Sequence, residues 1–290
     1  MTTTTFETHS LELDDAAIAY DVYAAGSDSG RPTVLMIGQP MTAEGFRALA
    51  DEVAADRTVV TYDPRGLGRS TRSDGSTTND PHQQARDLHA LIGHLGAPID
   101  IFASSGGAVT GLALVAAFPD DVRVLVAHEP PVLGVLPDAE LALDAARVAE
   151  REYAAKGFGA GLAAFIRYVS HEGEFPADYA EQPLPDPAQF GLPTEDDGSR
   201  DDALLGGSSR AFTEFMPDID AVRAAPTRVV IAGGETSKAI VTGRASIMLA
   251  EQLGSEVAYF RGGHGGFAAD EWGVPGDPAR FANQLRAVLD

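Results

Sequence analysis

Ile99-Asp100-Ile101-Phe102-Ala103-Ser104-Ser105-Gly106-Gly107-Ala108-Val109 runs from an isoleucine-rich segment through small residues into a helix-forming one. The stretch predicts a strand, a sharp turn with Ser105 at its apex, and a helix. A residue at such a turn has unusual backbone angles and crowded neighbours, so only small side chains fit two positions either side, here Ala103 and Gly107. The expected product is an exposed serine oxygen followed by the Gly106 amide at a helix N-terminus, where it can help bind an oxyanion.

Outward from this turn, the chain repeats strand and helix. Upstream, Leu11, Leu13, Ile18, Tyr20 and Val22 alternate around Asp14-Asp15 as an edge hairpin would. Thr33 to Ile37 and Thr58 to Tyr62 are continuous apolar runs, as expected of strands buried on both faces. Thr42 is placed to cap the helix after the first, and Asp80-Pro81 to open another that Gly96 closes. Gly66-Leu67-Gly68 lacks the Gly-Lys-Ser/Thr ending of a phosphate loop, which argues against nucleotide binding. Downstream, Val122 to Ala127 is a strand ending in His128-Glu129-Pro130-Pro131. Strand and helix at this spacing imply parallel strands with right-handed crossovers.

From Val132 to Ala225 the alternation lapses. Pro137 to Ala155 and Gly161 to Val169 are helical in pattern, and Glu174 to Gly207 reads as loop. Residues 132–221 are therefore expected to form a helical cap, with Tyr153, Phe158, Phe165 and Tyr168 as its core. The core domain then comprises 1–131 and 222–290. Thr227 to Ala232 and Glu256 to Phe260 complete the strands, giving eight, and Asp277-Pro278 starts a terminal helix.

Composition narrows the function. The 290 residues carry 21 basic and 43 acidic side chains, a formal charge of −22, which disfavours a nucleic acid, an anionic membrane or a polyanionic substrate as partner. The absence of cysteine excludes disulfides, thiol catalysis and cysteine-ligated metals. Nothing at Met1 to Phe6 resembles a secretory leader, and no apolar run nears the roughly 18 residues of a membrane span. A soluble cytoplasmic protein is expected; the sequence leaves its oligomeric state open.

In an open parallel sheet, ligands bind beyond the carboxyl ends of the strands. Gly38-Gln39, Asp63, Ser105, Glu129, Gly234-Glu235 and His264 all fall there. Of the seven histidines, His264 alone is set among glycines after a strand, whereas His82, His89 and His94 lie on an amphipathic helix. A serine hydroxyl needs an adjacent base, and that base needs a carboxylate to fix its tautomer.

Together Gly38-Gln39-Pro40, Asp63-x-Arg65-Gly66-x-Gly68-x-Ser70, Ala103-x-Ser105-x-Gly107 and Gly263-His264-x-Gly266-Phe267 resemble the α/β-hydrolase superfamily over nearly the whole chain. The resemblance implies a mostly parallel eight-stranded sheet flanked by helices, with a helical cap after the sixth strand. It implies Ser105 as nucleophile, His264 as general base, and the Gln39 and Gly106 amides as oxyanion hole. Asp63 and Arg65 would brace loops. Ile37 stands where relatives have histidine. For the acid, relatives usually offer aspartate in a Gly-x-x-Asp turn; here Ala232-Gly233-Gly234-Glu235 puts Glu235 at that position, with Glu129 at the preceding strand end as the alternative. The activity implied is hydrolysis of an ester or related carbonyl of a small-molecule substrate through an acyl-enzyme, with no metal and no cofactor. C–C bond hydrolysis, lactone opening and perhydrolysis could use the same residues, and a non-catalytic binding protein is the alternative of another kind.

Overall fold

The computed structural model describes residues 5–27, 30–207, 210–269 and 276–290. Its centre is one mixed sheet in the order β1-β2-β4-β3-β6-β7-β8-β9. The strands are β1 (Phe6–Glu12), β2 (Ala16–Tyr23), β3 (Val34–Ile37), β4 (Val59–Tyr62), β5 (Thr71–Arg72), β6 (Ile99–Ser104), β7 (Val122–His128), β8 (Arg228–Gly234) and β9 (Ala258–Phe260). The ninth, unexpected strand is β5, a two-residue edge piece that pairs with β2 and carries no sequence period to betray it. The β1–β2 hairpin joins β4 antiparallel, and every pair from β4 to β9 is parallel.

Buried strands with apolar residues on both faces need a layer on each. Leu35, Ile37, Ile101, Ala103, Leu125 and Ala127 enter the core on one face, under α2 (Pro81–Leu95), α3 (Gly106–Ala117) and α8 (Val241–Leu253). Val34, Met36, Phe102, Val124 and Val126 alternate with them and pack on the other face, against α1 (Arg47–Val53) and α9 (Pro278–Leu289). The period-2 alternation of each strand thus divides its side chains between two cores.

The predicted caps hold where the side chain has a free oxygen. Asp80 accepts from the amides of His82 and Gln83, and Asp277 from that of Arg280. Thr42 does not cap: a 3₁₀ turn (Ala43–Phe46) precedes α1, and the Ala43 amide is taken by Asp63 Oδ1 at 2.9 Å.

Between β7 and β8 the structure is helical, with α4 (Ala139–Lys156), α5 (Phe158–Val169), the short α6 (Arg210–Thr213) and α7 (Ile219–Ala224). Its aromatic residues divide. Tyr153 lies in a small separate core with Phe158 and Phe165 against it, whereas Tyr168 is buried with the main core, stacked on Phe175. Asp138 anchors the root of α4: it accepts from the Phe175 amide at 2.8 Å and pairs with Arg244 of α8. No helix among the described residues is long and apolar enough to cross a membrane. Residues 1–4, part of the leader reading, lie outside the described residues.

Candidate active site

Strand order reverses between β3 and β6: β4 lies on one side of β3 and the chain returns on the other as β6. Such a switch point opens a crevice at the strands' carboxyl ends, and Gln39 and Ser105 follow those two ends. Ser105 has φ 57° and ψ −128°. It is the turn between β6 and α3, with its amide donating to His128 O at 3.0 Å as a continuation of the parallel ladder. Holding a non-glycine residue there costs about 1–3 kcal/mol. The glycines after it are required by packing: a Cβ on Gly107 would stand 2.3 Å from Ile37 O, and one on Gly106 would stand 2.6 Å from Gln39 O. The first helical amide, that of Gly106, has no acceptor within its own helix, and Gln39 lies against it.

Only one other described non-glycine residue has positive φ. This is Glu129, at 49°, one position past β7. Its amide donates to Ala232 O at 2.9 Å, and the bend turns its fully buried side chain along the strand ends. Glu129 Oε1 accepts from the Gly234 amide at 2.8 Å, and Oε2 accepts from Thr242 Oγ1 at 2.7 Å. The same Oε2 lies 2.7 Å from His264 Nδ1. Burial pushes the Glu129 carboxyl up, but the hydrogen bond and charge of His264, with Thr242, outweigh it and hold the group below the usual carboxylate range.

This reverses the preference for Glu235 as the carboxylate partner of His264. Glu235 is exposed, its amide bonds Phe260 O, and its side chain makes no hydrogen bond or ion pair among the described residues. The physical reason lies in the two glycines before it. β8 runs on through Gly233 and Gly234, and a Cβ on Gly234 would stand 2.7 Å from both Gly262 O and Gly263 Cα. The strand end presses against the histidine loop there, and the Glu129 carboxylate reaches across from β7 to the Gly234 amide.

A model of the alpha/beta hydrolase family matches residues 34–284. The chain belongs to that family. The curated Bacillus subtilis (strain 168) protein named "Uncharacterized hydrolase YraK" is 28% identical over 279 residues, covering 91% of each chain. Among solved structures, a thermophilic esterase from Thermogutta terrifontis aligns with a TM-score of 0.62 at 18% identity, over 98% of each chain. An alpha/beta hydrolase from Sphaerobacter thermophilus aligns with a TM-score of 0.57 at 21% identity, over 88% of this chain and 91% of that one.

Within this alpha/beta hydrolase the Asp63 and Arg65 loop is tied down on all sides. Asp63 Oδ2 accepts from Arg69 Nε at 2.7 Å and from the Arg69 amide at 2.9 Å. Arg65 forks onto Asp87 at 2.6 and 2.8 Å and reaches Asp15 at 2.6 Å. Both side chains are spent on protein partners, as bracing requires.

His128 is the residue that sequence reasoning passed over as a strand end. It is fully buried beside Phe102, Phe260, Phe267 and Phe281, with its ring centroid 6.1 Å from that of His264. Its Nδ1 lies 3.3 Å from Ser104 Oγ, while Nε2 has no partner among the described residues. Burial pushes its pKa from 6.5 down to about 4; the Glu129 charge opposes this and His264 adds to it. The unfolded chain therefore takes a proton near its ordinary value, and the folded protein only near the lower one. Stability is lost as pH falls between the two and levels off below. At 1.36 kcal/mol per pKa unit the loss is about 3 kcal/mol. His128→Leu is expected to remove that part of the acid limb, read as the change in urea midpoint between about pH 7 and about pH 4; an unchanged limb would refute the assignment.

Proposed function

We propose that this protein is a serine hydrolase that cleaves an ester, or a related carbonyl compound, of a small organic substrate. Ser105 Oγ attacks the carbonyl carbon, and the His264 imidazole takes the hydroxyl proton on Nε2. Glu129 accepts the Nδ1 proton's hydrogen bond, fixes that tautomer and offsets the imidazolium charge as it forms. The amides of Gln39 and Gly106 bind the tetrahedral oxyanion. The leaving oxygen departs with the proton held by His264. Water, deprotonated by the same imidazole, then opens the acyl-enzyme and returns Ser105. The helical segment 132–221 serves as a cap that shapes the pocket, and the reaction needs no cofactor.

The observation that carries this reading is the pairing of the two positive-φ residues at neighbouring strand ends: Ser105 on a strained strand-to-helix turn, and Glu129 bonded at 2.7 Å to His264 Nδ1. Strain of this kind persists only where the surroundings enforce it, and it clusters at working sites. A fluorophosphonate probe is expected to add once, to Ser105, as read by intact mass and peptide mapping. A folded wild-type protein that takes up no probe would refute the serine nucleophile.

A further inference from the structure

Glu129 is fully buried, so protein donors must meet its charge, and they are unevenly placed. Oε1 takes one, the Gly234 amide. Oε2 takes two, the Thr242 hydroxyl and His264 Nδ1, each at 2.7 Å. An ionised carboxylate can only accept, so the direction of the hydroxyl bond is fixed and Thr242 is the donor. The hydroxyl is thus spent on the same oxygen that must hold the imidazole, while Oε1 keeps a single partner.

Thr242 stands in the first turn of α8, where it is a poor choice by local measures. Val241-Thr242-Gly243 joins two β-branched residues to a glycine, a weak opening for a helix. Gly243 is required by packing: a Cβ there would stand 1.9 Å from Ser237 O, so the start of α8 lies hard against the turn that follows β8. That turn is tied to the strand end, with the Ser237 amide donating to Gly234 O and the Ile240 amide to Ser237 O. The Gly234 amide and the Thr242 hydroxyl therefore reach Glu129 from the two ends of one hydrogen-bonded turn. A helical threonine can return its hydroxyl to a carbonyl of the preceding turn; here the side chain's hydrogen bond goes to Glu129 instead.

The consequence is chemical. A second donor on Oε2 draws off part of the charge that would otherwise go to the Nδ1 proton. It weakens the hold of the carboxylate on imidazolium, so that His264 stays neutral, ready to take the Ser105 proton, at lower pH. The titratable groups that act on Glu129 are His264, from the histidine loop, and His128, from its own strand; Thr242 adds an uncharged donor. Arg244, the cation nearest in sequence on α8, is spent on Asp138 and Gly173 O. Glu235, after β8, makes no side-chain bond among the described residues.

We propose that Thr242 is a positioning residue for the reaction: by sharing Glu129 Oε2 with His264 it fixes the carboxylate and lets the imidazole work as a base at lower pH than Glu129 alone would allow. The proposal rests on the hydrolase reading above. It assigns to α8, an element outside the nucleophile turn and the histidine loop, a part in setting the pH range of turnover.

The test is the acid limb of kcat/KM against pH on an activated ester, which reports the base of the free enzyme. Thr242→Val removes the hydroxyl at nearly constant shape. It is expected to move the midpoint of that limb up by about half a pH unit, or about threefold in proton affinity. Thr242→Ser keeps the hydroxyl and is expected to hold the wild-type midpoint. A midpoint unmoved in Thr242→Val overturns the proposal, and so does a Thr242→Ser midpoint displaced as far, which would assign the effect to lost packing. Thr242→Ala, with a better helix former in place of the hydroxyl, reports on the same limb if the valine variant fails to fold. A second readout needs no turnover. The nitrogen-15 shifts of His264, followed through pH in the resting protein, are expected to show the same upward displacement in Thr242→Val and none in Thr242→Ser. A His264 titration identical in wild type and Thr242→Val overturns the proposal. If wild type hydrolyses no ester and takes no phosphonate, the hydrolase reading fails, and the His264 titration alone decides whether Thr242 sets the basicity of the imidazole.

Discussion

Ser105→Ala is expected to fold as wild type does and to lose about six orders of magnitude in kcat on an activated ester, the scale at which a catalytic serine acts with its base and carboxylate as a unit. What survives is the contribution of the oxyanion amides and of substrate binding. The loss should appear in kcat rather than KM, because the hydroxyl makes its decisive bond only as the carbonyl is attacked. The turn offers a second check that no assay of a generic surface serine would reproduce. Ser105 holds φ at 57°, which glycine tolerates without penalty. Ser105→Gly should therefore be as inactive as the alanine variant yet more stable, by about 1 kcal/mol after the extra freedom of glycine in the unfolded chain is subtracted. Urea unfolding of the two variants measures this. A glycine variant less stable than the alanine one would mean that the turn is not strained.

Much of this site was legible because local and global signals agree. The apolar runs of β3, β6 and β7 are buried on both faces, and their ends must meet at the crevice whatever the details of the loops. The turn at Ser105 is readable from Ala103, Gly106 and Gly107, small residues at the spacing such a turn requires, although the atoms that crowd the two glycines, Gln39 O and Ile37 O, come from the end of β3. The carboxylate partner of His264 is not readable in that way. Glu235 occupies a sensible sequence position, but whether a carboxylate reaches His264 depends on where a strand stops. β8 runs through Gly234 before it turns, and Glu129 reaches across because its own backbone bends to φ 49°. A positive φ at a glutamate has no sequence signature. His128 was obscured for a similar reason: its burial arises from phenylalanines on β6, β9, α9 and the histidine loop, brought together only by the fold. The partition of Tyr153 and Tyr168 between two cores follows from how α5 packs, which helical periodicity alone does not specify.

The two carboxylates can be separated by substitution. Glu129→Gln is expected to lower kcat by about four orders of magnitude, and Glu235→Gln by no more than about twofold, as for a typical exposed residue away from the chemistry. The first expectation follows from counting donors. Glu129 accepts three hydrogen bonds, from the Gly234 amide on Oε1 and from Thr242 Oγ1 and His264 Nδ1 on Oε2. A glutamine has one oxygen to give. Keeping it on the Gly234 amide turns the NH₂ toward Thr242 and His264, where a donor now faces Nδ1. The imidazole answers by carrying its proton on Nε2, the tautomer that cannot accept from Ser105. Rotating the amide the other way leaves the Gly234 N–H facing another donor, which the buried site tolerates no better. The variant should thus be inactive with its geometry nearly unchanged. The nitrogen-15 shifts of His264 would register the change of tautomer directly. A large loss in Glu235→Gln with little in Glu129→Gln would return the acid to the turn after β8, and would require the His264 loop to sit differently during turnover.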